Sequence, residues 1–168
     1  MTKRYNVLFL CTGNSARSII AETLLNDLGK DRFHAYSAGS HPNGEVNPLA
    51  LSVLDRHRLP IAGLRSKSWD EFAKPGAPTM DVIVTVCDRA ALETCPIWPA
   101  GPAQPLTVHW GVDDPAAVQG SEAEKIRAFD RTFRELESRI KTFTTLKLDT
   151  LDRPSLQRQL DAIGKKSR

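Results

Sequence analysis

The residue types best suited to chemistry lie together near the start of the chain, in the segment Cys11-Thr12-Gly13-Asn14-Ser15-Ala16-Arg17-Ser18. An apolar run precedes this segment and residues with helical spacing follow it, so the sequence predicts a strand, a short loop and a helix. That arrangement directs several backbone N–H groups toward one point, where an anion binds. An anion held there would contact amide donors, the Arg17 guanidinium and the Cys11 sulfur. These residues predict a reaction site for a phosphate-like oxyanion.

The reactivity of Cys11 depends on whether its thiol ionises. A free cysteine has a pKa of about 8.5, and a helix N-terminus or a neighbouring cation can lower that pKa by several units. Arg17 and the predicted helix supply both effects, and Arg17 can also bind two oxygens of a tetrahedral anion. We therefore expect Cys11 to be a thiolate at rest. The expected oxyanion-binding residues are Thr12, Gly13, Asn14, Ser15, Ala16, Arg17 and Ser18, with the Ser18 hydroxyl placed to donate to the sulfur.

A structural alternative exists for this pattern. In an isolated Cys-x5-Arg match, the cysteine can simply be buried at a strand end and the arginine can be a surface charge. The complete octet between a strand and a helix favours the reactive loop. No Gly-Lys-Ser/Thr follows, and three spaced glycines are absent, so the loop is neither a Walker loop nor a dinucleotide-binding motif.

Strand patterns alternate with helix patterns along the sequence, and this alternation predicts the scaffold that positions the loop. Strands are expected at 5–10, 33–37, 81–86 and 106–109, and helices after the loop, at 48–58 and from 121 to 143, with a short helix near 68. The predicted fold is α/β, a single domain in which a parallel sheet of about four strands carries helices on both faces. The loop then lies at the carboxyl edge of the first strand, where such sheets bind ligands.

Composition restricts the class of protein further. The 168 residues suffice for one domain. No apolar stretch approaches the ~20 residues that span a membrane, and the N-terminus lacks the apolar region of a signal peptide. We expect a cytoplasmic monomer without a membrane partner.

The net charge of +3 is concentrated at the C-terminus, where residues 147–168 carry six basic and three acidic side chains. We divide the chain into a catalytic domain, 1–146, and a basic tail, 147–168, whose order the sequence leaves open. Such a tail is more typical of a solvated end than of a nucleic-acid-binding arm. No nucleic-acid partner is expected.

Two further cysteines, Cys87 and Cys95, stand seven intervening residues apart after the third predicted strand. Their spacing fits no usual zinc site. The pair suggests thiol–disulfide exchange, in which one thiolate attacks a sulfur and a second resolves the product. Alternatively, Cys87 is a small apolar residue at a strand end.

The octet resembles the signature of the low-molecular-weight tyrosine phosphatase superfamily, and segments 84–87, 95–99 and 109–116 resemble its arsenate reductase branch. The resemblance extends over residues 5–146. It implies that Cys11 attacks arsenate, that Cys87 then forms a disulfide with Cys11, and that Cys95 transfers the disulfide to Cys87–Cys95. The expected partners are an arsenate-like oxyanion and a thiol reductant, either thioredoxin or glutaredoxin with glutathione.

The resemblance also assigns a general acid, the aspartate directly before Pro115. Displacement of an oxygen needs a proton donor, and a carboxyl group near an anionic site can have a raised pKa. Asp114 matches this position. Asp113 is its rival, and a turn role is the structural alternative for both.

A potassium ion near the loop is a further implication, with Asn14, Glu22 and Ser37 as ligands. The expected aspartate ligand is replaced within residues 66–68, and Lys67 is an alternative source of positive charge. No other bound cofactor is expected.

Arsenate reduction is the favoured interpretation. The alternative is a tyrosine phosphatase that uses Cys11, Arg17 and Asp114, with water replacing the second thiol. Phosphatases of this type often carry aromatic residues after the Asp-Pro pair, whereas Ala116 and Ala117 follow it here. A non-catalytic redox sensor or oxyanion-binding module is the third interpretation.

Overall fold

A four-stranded parallel sheet forms the centre of the computed structural model, which describes residues 4–87 and 104–165. The strands lie in the order β2-β1-β3-β4, and all neighbouring pairs are parallel. The predicted fold class is confirmed. The strand bounds are Tyr5–Leu10 for β1, Phe33–Ala38 for β2, Val82–Thr85 for β3 and Leu106–His109 for β4.

Four α-helices and two short 3-10 helices complete the described elements. Local signals define their starts: Asn47 accepts a hydrogen bond from the Leu49 N–H before the second helix, and Ser121 and Glu124 form a capping box before the third. The second helix ends before the predicted residue 58, because Arg58 has a φ of 60°. The α-helices are α1 (Arg17–Leu28), α2 (Pro48–Arg56), α3 (Glu122–Thr144) and α4 (Arg153–Lys165), and the 3-10 helices are Trp69–Phe72 and Pro115–Ala117.

The strands are apolar on both sides because both faces of the sheet are covered. Phe9 and Val84 face the main core, to which all four α-helices contribute apolar side chains. On the opposite face, Leu8 and Ile83 pack with Phe72 from the first 3-10 helix. The sheet therefore holds the end of β1 rigidly between two packed layers.

Helix α4 lies within the segment that the sequence assigns to a basic tail. Leu156, Leu160 and Ile163 are buried in the main core. The Trp110 indole N–H donates to the Leu160 carbonyl at 2.9 Å, and Gln157 donates to the Thr107 carbonyl of β4 at 2.9 Å. This helix thereby covers the edge strand.

Within residues 4–87 and 104–165, no helix combines the length and apolar character needed to cross a membrane. The same part of the chain contains no group of three or more His, Cys, Asp or Glu side chains arranged to hold a metal ion.

Candidate active site

The loop between β1 and α1 turns tightly around a point at the carboxyl edge of the sheet. Asn14 adopts a φ of 44°, a left-handed conformation that asparagine tolerates better than most residues. A Cβ at Gly39 would lie 2.6 Å from the Cys11 carbonyl oxygen. Glycine at position 39 therefore permits the end of β2 to approach the loop closely.

Backbone donors at the start of α1 are available to an anion. The N-cap residue is Ala16, whose side chain has no acceptor that could cap the helix. The N–H groups of the first turn carry partial positive charge and have no partner within their own helix. The sequence thus leaves this helix N-terminus open where a ligand would bind.

A cavity of about 490 Å³ opens above the loop. It brings together most of the predicted site residues, including both described cysteines, and adds two residues from the loop after β2. The lining residues are Cys11, Thr12, Gly13, Ser15, Ala16, Arg17, His41, Asn43, Cys87, Asp114 and Ala116.

Arg17 links the loop to the segment that carries the predicted acid. Its Nη1 donates to the Val112 carbonyl at 3.0 Å, and its Nη2 lies 3.7 Å from the Asp114 carboxylate. The Arg17 side chain is 15% exposed and that of Asp114 is 43% exposed. Because Asp114 lines the cavity beside Arg17 and Asp113 is not among the lining residues, the Asp114 carboxyl group is the better placed of the two to meet a bound anion.

Cys87 follows β3 and lies against the loop. The Thr12 backbone N–H donates to the Cys87 sulfur at 3.3 Å, and the Thr12 hydroxyl lies 3.7 Å from the same atom. Cys87 is buried, with 2% of its surface exposed, and its thiol is close enough to Cys11 to raise the pKa of that residue. The structure therefore brings two of the three predicted thiols together. Cys95 lies outside the described residues.

The pKa of Cys11 shifts in the direction opposite to the sequence-based expectation. The hydrogen bond with Cys87 and burial of the sulfur raise the pKa of Cys11 far above its ordinary value, although Arg17 and the Gly13 backbone act to lower it. In the reduced, ligand-free site the direction of the shift is therefore the reverse of the predicted lowering. The helix and the cation are present as predicted, but the neighbouring thiol outweighs them.

Asn14 and Ser18 lie beneath the loop, where both are fully buried. The Asn14 Nδ2 donates to the Ser18 hydroxyl at 2.8 Å, and the Asn14 Oδ1 accepts from the Lys67 backbone N–H at 2.9 Å. These side chains brace the loop from inside rather than reaching the cavity.

The residues expected to hold potassium do not fit such a site. Ser37 donates its hydroxyl proton to Glu22, and the Lys67 Nζ lies 3.8 Å from the Glu22 carboxylate. Burial lowers the pKa of Lys67 and raises that of Glu22, while the attraction between the two opposes both shifts. An ammonium group therefore stands beside the oxygens that a metal ion would need, and the predicted potassium site is not supported.

His41 and Asn43 are site residues that the sequence analysis missed. The Asn43 backbone N–H donates to the Gly13 carbonyl at 2.9 Å, and its side chain donates to the Ser15 hydroxyl at 3.1 Å. The His41 N–H donates to the Thr12 carbonyl at 2.9 Å. Their only sequence signal is a stretch rich in turn-forming residues, which indicates a loop but not its position.

Comparisons with known proteins agree with this geometry. A family model described as low molecular weight phosphotyrosine protein phosphatase matches residues 6–158. An arsenate reductase of Halalkalibacterium halodurans is 39% identical over 137 residues, which cover 82% of this chain and 93% of that protein.

The chain is also similar to solved structures of arsenate reductases. An arsenate reductase from Archaeoglobus fulgidus, known from its crystal structure, is 29% identical in sequence to this chain. The two structures match with a TM-score of 0.63 over 83% of this chain and 99% of that one. A thioredoxin-dependent arsenate reductase from Corynebacterium glutamicum is 26% identical, with a TM-score of 0.54 over 83% of this chain and 63% of that one.

Proposed function

Because the chain belongs to the low-molecular-weight phosphotyrosine protein phosphatase family, as its sequence predicted, we propose that it uses the loop of this family to reduce arsenate to arsenite. The observation that carries the proposal is the second thiol at the loop, where the Cys87 sulfur accepts a hydrogen bond from Thr12. A phosphatase needs one thiol, whereas a two-electron reduction needs two. The relatives named arsenate reductase support the same choice.

Binding comes first. The oxygens of arsenate accept hydrogen bonds from the loop amides and from Arg17, whose planar guanidinium suits two oxygens of one tetrahedral anion. Since the Cys87 thiol also uses the Thr12 N–H, the bound anion competes with that thiol for a donor.

The first chemical step forms a sulfur–arsenic bond. Since the pKa of Cys11 is raised in the empty site, the arsenate dianion accepts the thiol proton on one oxygen as the sulfur attacks arsenic. Asp114 in its carboxylic acid form donates a proton to the departing oxygen, which leaves as water. The products are a Cys11–arsenic(V) adduct with one negative charge and the Asp114 carboxylate, which later recovers its proton from solvent.

The second step transfers the electrons. The Cys87 sulfur attacks the Cys11 sulfur and gives its proton to an arsenic-bound oxygen. The sulfur–arsenic bond breaks with its electron pair left on arsenic, which becomes arsenic(III) and departs as arsenite. The two sulfurs lose one electron each and form a Cys11–Cys87 disulfide.

The third step regenerates Cys11. The Cys95 thiolate attacks the Cys87 sulfur, which expels Cys11 as a thiolate and leaves a Cys87–Cys95 disulfide. The Cys11 thiolate then takes up a proton from solvent. An external dithiol then reduces that disulfide. Thioredoxin is the proposed reductant, in line with the thioredoxin-dependent enzyme of C. glutamicum, and glutaredoxin with glutathione is the alternative.

Arsenite formation in the presence of thioredoxin, thioredoxin reductase and NADPH tests the proposal. Wild type should turn over, and Cys11→Ser, Cys87→Ser and Cys95→Ser should each lose multiple turnover. Mass spectrometry after a single turnover should find a Cys87–Cys95 link in wild type and a Cys11–Cys87 link in Cys95→Ser. Catalysis by Cys87→Ser would contradict the relay.

Phosphate-ester hydrolysis is the second candidate, since the matched family model is that of a phosphatase. Cys11, Arg17 and Asp114 would act alone, and hydrolysis of p-nitrophenyl phosphate would survive in Cys87→Ser and Cys95→Ser. Ala116 at the cavity wall offers no aromatic surface for an aryl substrate, which favours the small anion. Binding of arsenate without turnover of either substrate would instead indicate a sensor or binding module.

A further inference from the structure

The residues beneath the loop include a cation, since Lys67 lies beside Glu22, Asn14 and Ser37. We propose that the Lys67 ammonium compensates the charge of Glu22 and braces the reactive loop, in the place where a potassium ion was expected. The protein would then be insensitive to potassium. This inference concerns the support of the loop and holds whichever oxyanion reacts above it.

The contacts of Lys67 connect three parts of the chain. Its Nζ donates to the Arg65 carbonyl at 2.9 Å and lies 3.8 Å from the Glu22 carboxylate in α1. Its backbone N–H donates to Asn14 Oδ1 at 2.9 Å. One residue therefore supplies both the charge that faces Glu22 and the donor that fixes the left-handed Asn14.

The oxygens that would form a cation cage are already engaged. Hard cations bind where several oxygens face one common point. Asn14 Oδ1 accepts from the Lys67 N–H and the Glu22 carboxylate accepts from the Ser37 hydroxyl, so each of these two acceptors already has a hydrogen-bond donor. The charge that a metal ion would provide is present as an ammonium group instead.

The position of Lys67 is fixed by its backbone. Its carbonyl accepts from the Gly39 N–H at 2.9 Å, and the Trp69 N–H donates to the Gly39 carbonyl at 2.9 Å, which extends β2 by an isolated parallel bridge to Ser68. The Lys67 side chain is only 8% exposed. A long side chain ordered in this way holds its charge in one place at little further entropic cost.

The charge of Glu22 explains why a cation is needed there. Glu22 lies in the second turn of α1, close behind the helix N-terminus that faces the cavity. An uncompensated carboxylate with 17% of its side chain exposed would be costly to bury and would weaken the positive potential that attracts an anion. Lys67 cancels both effects.

Thermal unfolding and binding of inorganic phosphate test the proposal without any arsenate chemistry. Wild type should give the same Tm and the same phosphate Kd in potassium chloride as in tetramethylammonium chloride at equal ionic strength. A potassium-specific rise in Tm or in phosphate affinity would overturn the proposal, and this measurement requires no variant.

Lys67→Met removes the ammonium and keeps most of the side-chain volume. We expect phosphate binding to weaken on the order of tenfold and Tm to fall, with Lys67→Arg closer to wild type. Lys74→Met, at an exposed lysine of the same region, is the matched control and should change neither quantity. A Lys67→Met protein with wild-type Tm and phosphate affinity would refute the assigned role. Since none of these readouts involves reduction, they remain informative if arsenate proves not to be the substrate.

Discussion

The backbone N–H of Thr12 donates a hydrogen bond to the sulfur of Cys87 at 3.3 Å, across 75 positions of sequence. This contact joins the end of β3 to the reactive loop after β1, two strands that are neighbours in the sheet. It keeps a second thiol beside Cys11 before any substrate arrives. The same proximity that shortens the path to a disulfide also raises the pKa of Cys11.

Replacement of Cys87 by alanine should lower the pKa of Cys11. The hydrogen bond with Cys87 is the largest cause that raises this pKa, and its removal leaves Arg17 and the Gly13 backbone less opposed. A lower pKa means more thiolate at neutral pH, so alkylation of Cys11 by iodoacetamide should be faster in the variant. The pH at which the alkylation rate reaches half of its maximum should be lower in the variant than in wild type.

Mass spectrometry of the alkylated peptide keeps the readout specific for Cys11. Cys95→Ala serves as the control, since it removes a thiol without altering the described contacts of Cys11. An unchanged or upward midpoint in Cys87→Ala would show that Cys87 does not control the ionisation of Cys11.

Local signals explain which parts of the fold could be predicted. The bounds of β4 match the expected 106–109, because Pro105 stands directly before this short strand and Gly111 shortly after it. The capping box of Ser121 and Glu124 needs only residues within one helical turn. The loop after β1 was recognisable because its nucleophile, its cation and its glycine are contiguous in sequence.

Contacts between distant segments explain what was missed. The pKa of Cys11 is raised chiefly by Cys87, which lies 76 positions later in the sequence. The wall of the cavity includes Asn43, whose side chain contacts Ser15 across 28 positions of sequence. No local sequence pattern indicates that the members of these pairs lie close together in space. Helix α4 is different, because Leu156, Leu160 and Ile163 recur at helical spacing, which is a local signal present in the sequence despite the basic charge of the segment.

Arg17→Lys should weaken oxyanion binding. A lysine retains one positive charge but loses the planar pair of donors that suits two oxygens of one anion. We expect phosphate affinity, measured by isothermal titration calorimetry, to fall by roughly 10- to 100-fold. Arg4→Lys, near the chain start and far from the cavity lining, should leave it unchanged. Equal affinity in Arg17→Lys would mean that the loop amides alone hold the anion.

Gly164→Ala should destabilise the protein although alanine is normally the better helix former by about 1 kcal/mol. A Cβ at this position would lie 2.6 Å from the His109 carbonyl oxygen and 2.8 Å from the Trp110 ring, so α4 would have to move off β4. We expect a net loss of about 1–3 kcal/mol in the free energy of unfolding by urea. Gln159→Ala, at an exposed position of the same helix, provides the comparison. A more stable Gly164→Ala protein would mean that α4 does not pack on β4 in solution.

Arg139→Met should destabilise the segment that carries Asp114. Arg139 is 2% exposed, and its Nη1 donates to the Gly111 carbonyl at 3.0 Å. Loss of this donor leaves a buried carbonyl unpaired, at a cost of about 1–3 kcal/mol. Urea unfolding of Arg139→Met should show that loss, whereas Arg134→Met, at an exposed position of α3, should stay within ~0.5 kcal/mol of wild type. Similar stability of the two variants would argue against a bracing role.

Asp114→Asn should slow the reaction more than Asp113→Asn does. Asp114 lines the cavity, and its carboxylate lies 3.7 Å from Arg17, so its proton can reach an oxygen held by the same guanidinium. Asparagine keeps the size and can still accept from the Ala116 N–H that now bonds to Asp114 at 3.0 Å, but it has no acidic proton to give. We expect kcat for arsenite formation to fall by about 10²- to 10⁴-fold, with phosphate affinity little changed. Asp113→Asn removes a neighbouring charge and should retain most of the activity. If Asp113→Asn lost the activity and Asp114→Asn kept it, the acid would be assigned to Asp113, and the contact between Arg17 and Asp114 would serve only to position the segment.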